Sequence, residues 1–168
     1  MGKNVDTGFV YQHGRAPVFR PEGLLSRSGD RTPFLHLHGA VGWYERGGVV
    51  IDHYANLPYN ETLGSPVVLY PDPEKDPTSD AIVSQLWHEF YVALDLADHV
   101  LLLGHSLHDP ALIRALGAAA ARKKVAVSYR SDRMFDRIRE HLPSAIPMRI
   151  DFGPDLDIDR SAIAAFRS

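Results

Sequence analysis

At Gly104-His105-Ser106 the apolar run Val100-Leu101-Leu102-Leu103 ends on a glycine and a serine, and Asp109-Pro110 opens the segment that follows. Three chemistries compete for that serine. As a nucleophile elbow, Ser106 would sit on a sharp strand-to-helix turn with small residues on both sides, but His108 stands where the second glycine of Gly-x-Ser-x-Gly belongs. As a ligand turn, Gly104 lets a ligand approach the backbone, Ser106 offers a hydroxyl to a ribose or phosphate, and the next helix N-terminus favours negative charge. The third reading is a tight turn with a local side-chain cap. A second centre lies upstream, where Phe34-Leu35-His36-Leu37-His38-Gly39-Ala40 reads as a strand delivering a histidine onto a glycine. Two histidines at strand spacing share a face and could bind a metal, but no further ligands are placed around them. One buried histidine and one functional one is the better reading, with His38 as a general base beside a ligand.

These groups need a scaffold, and the chain's periodicity supplies one. From Ser79 onward Ile82, Leu86, Phe90 and Leu94 recur at helical spacing, with Val83, Trp87, Tyr91 and Ala97 widening the stripe, so 79–97 reads as a buried helix. A strand over 99–103 follows, then a helix over about 110–123. Asp109 caps that helix, Pro110 suits its first turn, and Arg122-Lys123-Lys124 suits the negative end of its dipole. A strand over 125–129, a helix from near Ser131 carrying Met134, Phe135 and Ile138, and a strand over 146–150 complete the alternation. The fold class is therefore α/β, with a parallel sheet wound by crossover helices and a loop-rich N-terminal part. In that part Phe34–Leu37, Val49–Ile51 and Pro66–Tyr70 read as strands between Gly, Pro, Asn and Asp turns. Ligands of such sheets bind beyond the carboxyl ends of the strands, so His38 and the Gly104–Ser106 turn are expected to face one cleft. Trp43-Tyr44 and the segment Tyr59–Thr62 could line a substrate cleft, although aromatic residues in a loop-rich part more often plug a small core, and Asp72, Glu74, Lys75 and Asp76 read as a solvated loop.

Composition limits the partners. The 168 residues, 45% hydrophobic and 23% charged, suit one domain with a substantial core. A net charge of -3 argues against nucleic acid as the default partner. With no cysteine the chain has no disulfide and no thiolate zinc site, which fits a reducing cytoplasm. Neither the Met1–Asp6 start nor any later run has the apolar length of a signal peptide or a membrane span.

Three segments then resemble, in family order, the SIR2-like (sirtuin-related) proteins. "LHG" at Leu37–Gly39 resembles the segment bearing the family's catalytic histidine, "SPVVLYPDP" at Ser65–Pro73 the strand and loop after its small module, and "LADHVLLLGHSLHDP" at Leu96–Pro110 its Gly-x-Ser strand end. The resemblance spans about residues 34–130, matches only the second part of the family's catalytic domain, and implies a single Rossmann-like domain over 1–168 that cleaves NAD when the N-terminal phosphate-binding half is supplied. It implies cofactor contacts to NAD from Gly104, Ser106 and, at the next strand end, Ser128, where the expected asparagine is absent and Tyr129 is an equal candidate. Ser106 is then not a nucleophile, and His38 is the base for cleavage of the nicotinamide–ribose bond. The chain departs from the family in two places. The four zinc-binding cysteines are absent, so no zinc is expected, and the branch resembled is that of bacterial SIR2-like NAD hydrolases linked to defence rather than the deacetylases. The Gly-Ala-Gly-x-Ser phosphate loop of the N-terminal half is also absent; Asn4-Val5-Asp6 faintly matches a motif downstream of it, although a solvated terminus is the simpler reading. The alternatives are an inactive SIR2-like binding or scaffold module, with a protein partner or a second copy, and then a serine hydrolase using Ser106.

Overall fold

The parallel sheet forms where buried apolar runs alternate with capped helices. The computed structural model describes residues 5–10, 18–20, 24, 31–52, 64–68, 80–150, 164 and 166. The chain divides into two compact units, Met1–Ala93 and Leu94–Ser168. Together their described elements make a mixed α/β protein with three helices and a three-stranded parallel sheet.

In the first unit β1 (Val5–Asp6) pairs in parallel with β4 (Thr32–Pro33). A five-stranded sheet has the order β2-β3-β6-β5-β7, formed by β2 (Phe9–Val10), β3 (Val18–Phe19), β5 (Gly39–Arg46), β6 (Val49–Asp52) and β7 (Ser65–Val68). Its described pairings are antiparallel. The β5–β6 hairpin turns at Gly47-Gly48, with φ of +61° and +77°, the positive values that a two-residue hairpin turn demands. Phe9, Phe19 and Trp43 meet with ring centroids 4.9–5.1 Å apart and share a core with Val50, Val67 and Leu86. Trp43 is thus a core residue, as expected of an aromatic side chain in a loop-rich part.

Two sequence expectations are corrected here. Phe34–Leu37 is not a strand: the backbone turns at Leu37-His38, Gly39 N–H donates to His36 O at 2.9 Å, and pairing begins only at Gly39. A local turn overrides the apolar alternation, so His36 and His38 do not share a strand face. Asp6 is not solvated either. It is buried, its carboxylate accepts Gly8 N–H at 3.0 Å, and it pairs with Arg31 at 3.2 Å. Asn4, Tyr59–Thr62, Leu69-Tyr70, the charged loop at 72–76 and Ser79 lie outside the described residues.

Helix α1 (Ala81–Leu96) is capped by Asp80, whose Oδ1 accepts Ile82 and Val83 N–H. The second unit takes up its last turn and continues β8 (His99–Leu102), α2 (Pro110–Ala120), β9 (Lys124–Tyr129), α3 (Asp132–His141), β10 (Ile146–Arg149). All pairs are parallel in the order β10-β9-β8, and the middle strand buries Val125, Ala126, Val127 and Ser128 in succession, as a strand covered on both faces must. The expected parallel pairing and the helix start at Pro110 are both observed. The basic run is used only in part as expected: Arg122 Nε donates to Ala118 O in the last turn of α2 at 3.5 Å, whereas the two lysines act elsewhere. Helix α2 stops at Ala120, Lys124 begins β9, and Lys123 Nζ donates to the carbonyls of Leu94, Asp95 and Ala97 at the end of α1. Its charge meets the negative end of α1, not that of α2. Among the described residues no helix is long and apolar enough to cross a membrane.

Three carbonyls depend on one ammonium, so Lys123→Met should lower unfolding free energy by about 1–2 kcal/mol in urea denaturation. A change below about 0.3 kcal/mol would show that water replaces the ammonium without loss.

Candidate functional site

The β8–β9 ladder ends with Leu102 opposite Val127, and a side chain then continues it. Ser128 is the one polar residue in the buried run of β9, and its Oγ accepts the N–H of Gly104 at 3.1 Å. That bond holds the end of β8 against the end of β9 while the chain leaves the sheet. Gly104 has φ +66°, yet a Cβ there would meet no heavy atom within 4 Å. Glycine is required for backbone angle, and the space beside it is open. Leu107, also at positive φ (+53°), is buried. Its N–H donates to His105 Nδ1 at 2.9 Å, which assigns the proton of a neutral His105 ring to Nε2. From α3, Arg137 Nη1 donates to Ser106 O at 3.0 Å and contacts the His108 ring. The loop from β8 to α2 is therefore tied at both ends and in its middle.

This loop forms one wall of a pocket of about 210 Å³ at the carboxyl ends of all three parallel strands. Leu103, Gly104 and His105 follow β8; Ser128, Tyr129, Arg130 and Ser131 end β9; Ile150 follows β10, and Met134 comes from α3. The volume lies below the roughly 300–1,000 Å³ of sites that enclose a drug-sized molecule, so it suits one end of a larger ligand. Among the described lining residues, apolar and aromatic walls with a few hydroxyls and one permanent cation fit a heteroaromatic base joined to a polar group.

Gly104 and Ser128, chosen from the sequence, meet in this pocket. Ser106 is exposed and stands outside its lining. The left-handed residues flank Ser106 rather than coincide with it, and among the described residues no hydrogen bond joins its hydroxyl to a histidine. The geometry of an elbow is lacking. The α2 N-terminus differs from the ligand-turn expectation: Asp109 Oδ1 accepts Ala111 and Leu112 N–H at 2.9 and 3.1 Å, so the donors a phosphate would need are already engaged.

His38 belongs to the other unit. It is exposed on its turn, with its ring edge-on to buried Trp87 at 6.3 Å, whereas His36 packs against Trp43 at 5.3 Å. The two rings thus have different partners. The Trp87 Nε1 donor is buried without a partner among the described residues. Gly39, next to His38, has φ +72°, and a Cβ there would collide with the backbone carbonyl of Val67. Among the described residues no three His, Asp or Glu side chains gather as a metal would require. His105, Arg130, Ser131, Met134 and Ile150 escaped the motif reading. Their signal was positional, since each except Met134 follows or ends a strand legible in the sequence. No protein-family model and no curated protein matches the chain.

The two glycines separate backbone constraint from ligand space. Gly39→Ala should cost about 3 kcal/mol or more, because left-handed strain and a backbone clash add. Gly104→Ala should cost only about 1–2 kcal/mol while obstructing the pocket. Equal losses in denaturant titrations of the two variants would contradict this division.

Proposed function

We propose that this chain is a SIR2-like NAD-binding protein whose Leu94–Ser168 unit is Rossmann-like and takes the adenosine end of the dinucleotide. The observation that carries the reading is the pocket where β8, β9 and β10 end, with Gly104 open on one side and the buried Ser128 hydroxyl beneath it. Ligands of parallel sheets bind at such strand ends. Leu103, Met134, Ile150 and Tyr129 supply faces for a base; Ser128, Ser131 and His105 supply partners for a ribose.

The resemblance at "LHG" extends the proposal to hydrolysis of the nicotinamide–ribose bond. Water bonds to ribose C1′, the C1′–nitrogen bond breaks, nicotinamide leaves with that electron pair, and His38 takes the proton released by water. The His38 side chain is exposed to solvent, as a base acting on water must be. A second reading is favoured by Asp109, which occupies the α2 donors and leaves this helix no phosphate cradle. It is a nucleotide-binding module without turnover.

Calorimetry with NAD, paired with an assay of nicotinamide release, separates the cases. Under the first reading His38→Ala lowers turnover about 10²- to 10⁴-fold and leaves the dissociation constant within about threefold. Ser106→Ala weakens binding at most about tenfold and removes no chemical step. Binding without release in the native sequence selects the second reading. Absence of both, with ester hydrolysis that disappears in Ser106→Ala, overturns the assignment.

A further inference from the structure

We infer that the pocket wall built by the loop from β8 to α2 is pH-sensitive, because Arg137 ties that loop to α3 only while the His108 ring is neutral. The inference concerns the protein without ligand, so it stands or falls apart from the nucleotide reading.

Arg137 is a half-buried residue of α3, and its Nη1 donates to Ser106 O at 3.0 Å and to Nε2, the nearer ring nitrogen of His108. A guanidinium has donors alone and stays charged at any physiological pH, so the nitrogen facing it must accept. Only a neutral imidazole has an accepting nitrogen, which assigns the ring proton to Nδ1. Protonation turns Nε2 into a donor and sets two cations against each other at hydrogen-bond distance. The contact is then lost. Because the same Nη1 also holds the Ser106 carbonyl, repulsion at His108 loosens both ties together.

The fixed points on either side decide what moves. Upstream, Gly104 N–H is held by Ser128 Oγ, and downstream Asp109 caps α2; neither contact uses an imidazole. The change is confined to His105–His108, and His105 lines the pocket. Among the described residues neither His108 nor Arg137 pairs with a carboxylate that would favour the extra proton. Asp109, next to His108, already accepts Ala111 and Leu112 N–H, and on α3 Asp136 and Glu140 are exposed, with Glu140 3.9 Å from His141. Arg133, one turn before Arg137 on the same helix face, and Arg130 at the end of β9 are cations and oppose a further positive charge. His105, the other titratable group of the loop, accepts Leu107 N–H through Nδ1.

The test is amide hydrogen exchange on the full 168-residue protein, compared as protection factors at about pH 7.5 and about pH 5.5, the span over which imidazole changes charge. Leu107 N–H, buried and bonded to His105, reports the loop. Release coupled to one proton should lower its protection about tenfold at the lower pH. In His108→Gln the side-chain oxygen accepts from Arg137 without titrating, and protection should stay high and level within about twofold. Arg137→Met should lower protection at both pH values and remove the dependence. Ala126 and Val127 amides in β9 should keep their protection within about twofold throughout. Equal Leu107 protection at the two pH values in the native sequence overturns the inference. A fall that persists in His108→Gln also overturns it, by assigning the proton to His105, and so does a matching fall at Ala126 and Val127, which marks global unfolding.

Discussion

A single hydroxyl at the end of the central strand sets the shape of the pocket. Backbone pairing between β8 and β9 stops at Leu102, and without another tie the chain beyond it would leave the sheet at an undefined angle. Ser128 Oγ accepts Gly104 N–H and extends the pairing by one step, which brings a glycine at φ +66° over the strand ends. The hydroxyl sits in the most buried run of the unit, where an unpaired polar group costs about 1–3 kcal/mol. Burial and pocket geometry therefore enforce one another. The rest of the loop follows from that start, through the His105–Leu107 bond, the Arg137 contacts and the Asp109 cap.

Electrostatics divides this end of the sheet into two regions. At α2 the positive helix end is neutralised by the chain's own Asp109, so that face offers little to an anion. At the end of β9 the described lining residues include Arg130. The glycine-serine turn that first suggested a phosphate site therefore lacks free helix N–H donors, which Asp109 engages. Ser106 illustrates the consequence: its carbonyl is a structural acceptor for Arg137, while its side chain lies outside the lining.

Much of the second unit was legible because each signal was local and agreed with its neighbours. Asp109-Pro110 marks the start of α2, Ser131 the start of α3, and the apolar run of β9 a strand buried on both faces. The first unit was less legible. Phe34–Leu37 alternates like a strand, but pairing of Gly39 against β7 forces a turn just before it, a non-local constraint that alternation does not encode. Asp6 reads as a terminal polar residue until Arg31 and Gly8 come beside it. Lys123 looked like a dipole partner for its own helix, and only the fold brings the end of α1 within its reach. In the pocket, motif reading found Gly104 and Ser128; Arg130, Met134 and Ile150 had no motif and emerged from topology.

The central claim is that nucleotide binds at the carboxyl ends of β8, β9 and β10, and amide NMR measures this most directly. Titrating ¹⁵N-labelled protein with NAD+ should move the resonances of Gly104, His105, Tyr129, Arg130, Ser131 and Ile150, with the largest shifts at Gly104. Amides at the opposite ends of the same strands, such as His99 and Lys124, should stay still. Shifts centred on Ala111 and Leu112 at the start of α2, or absent from the strand ends at saturating nucleotide, would contradict the claim.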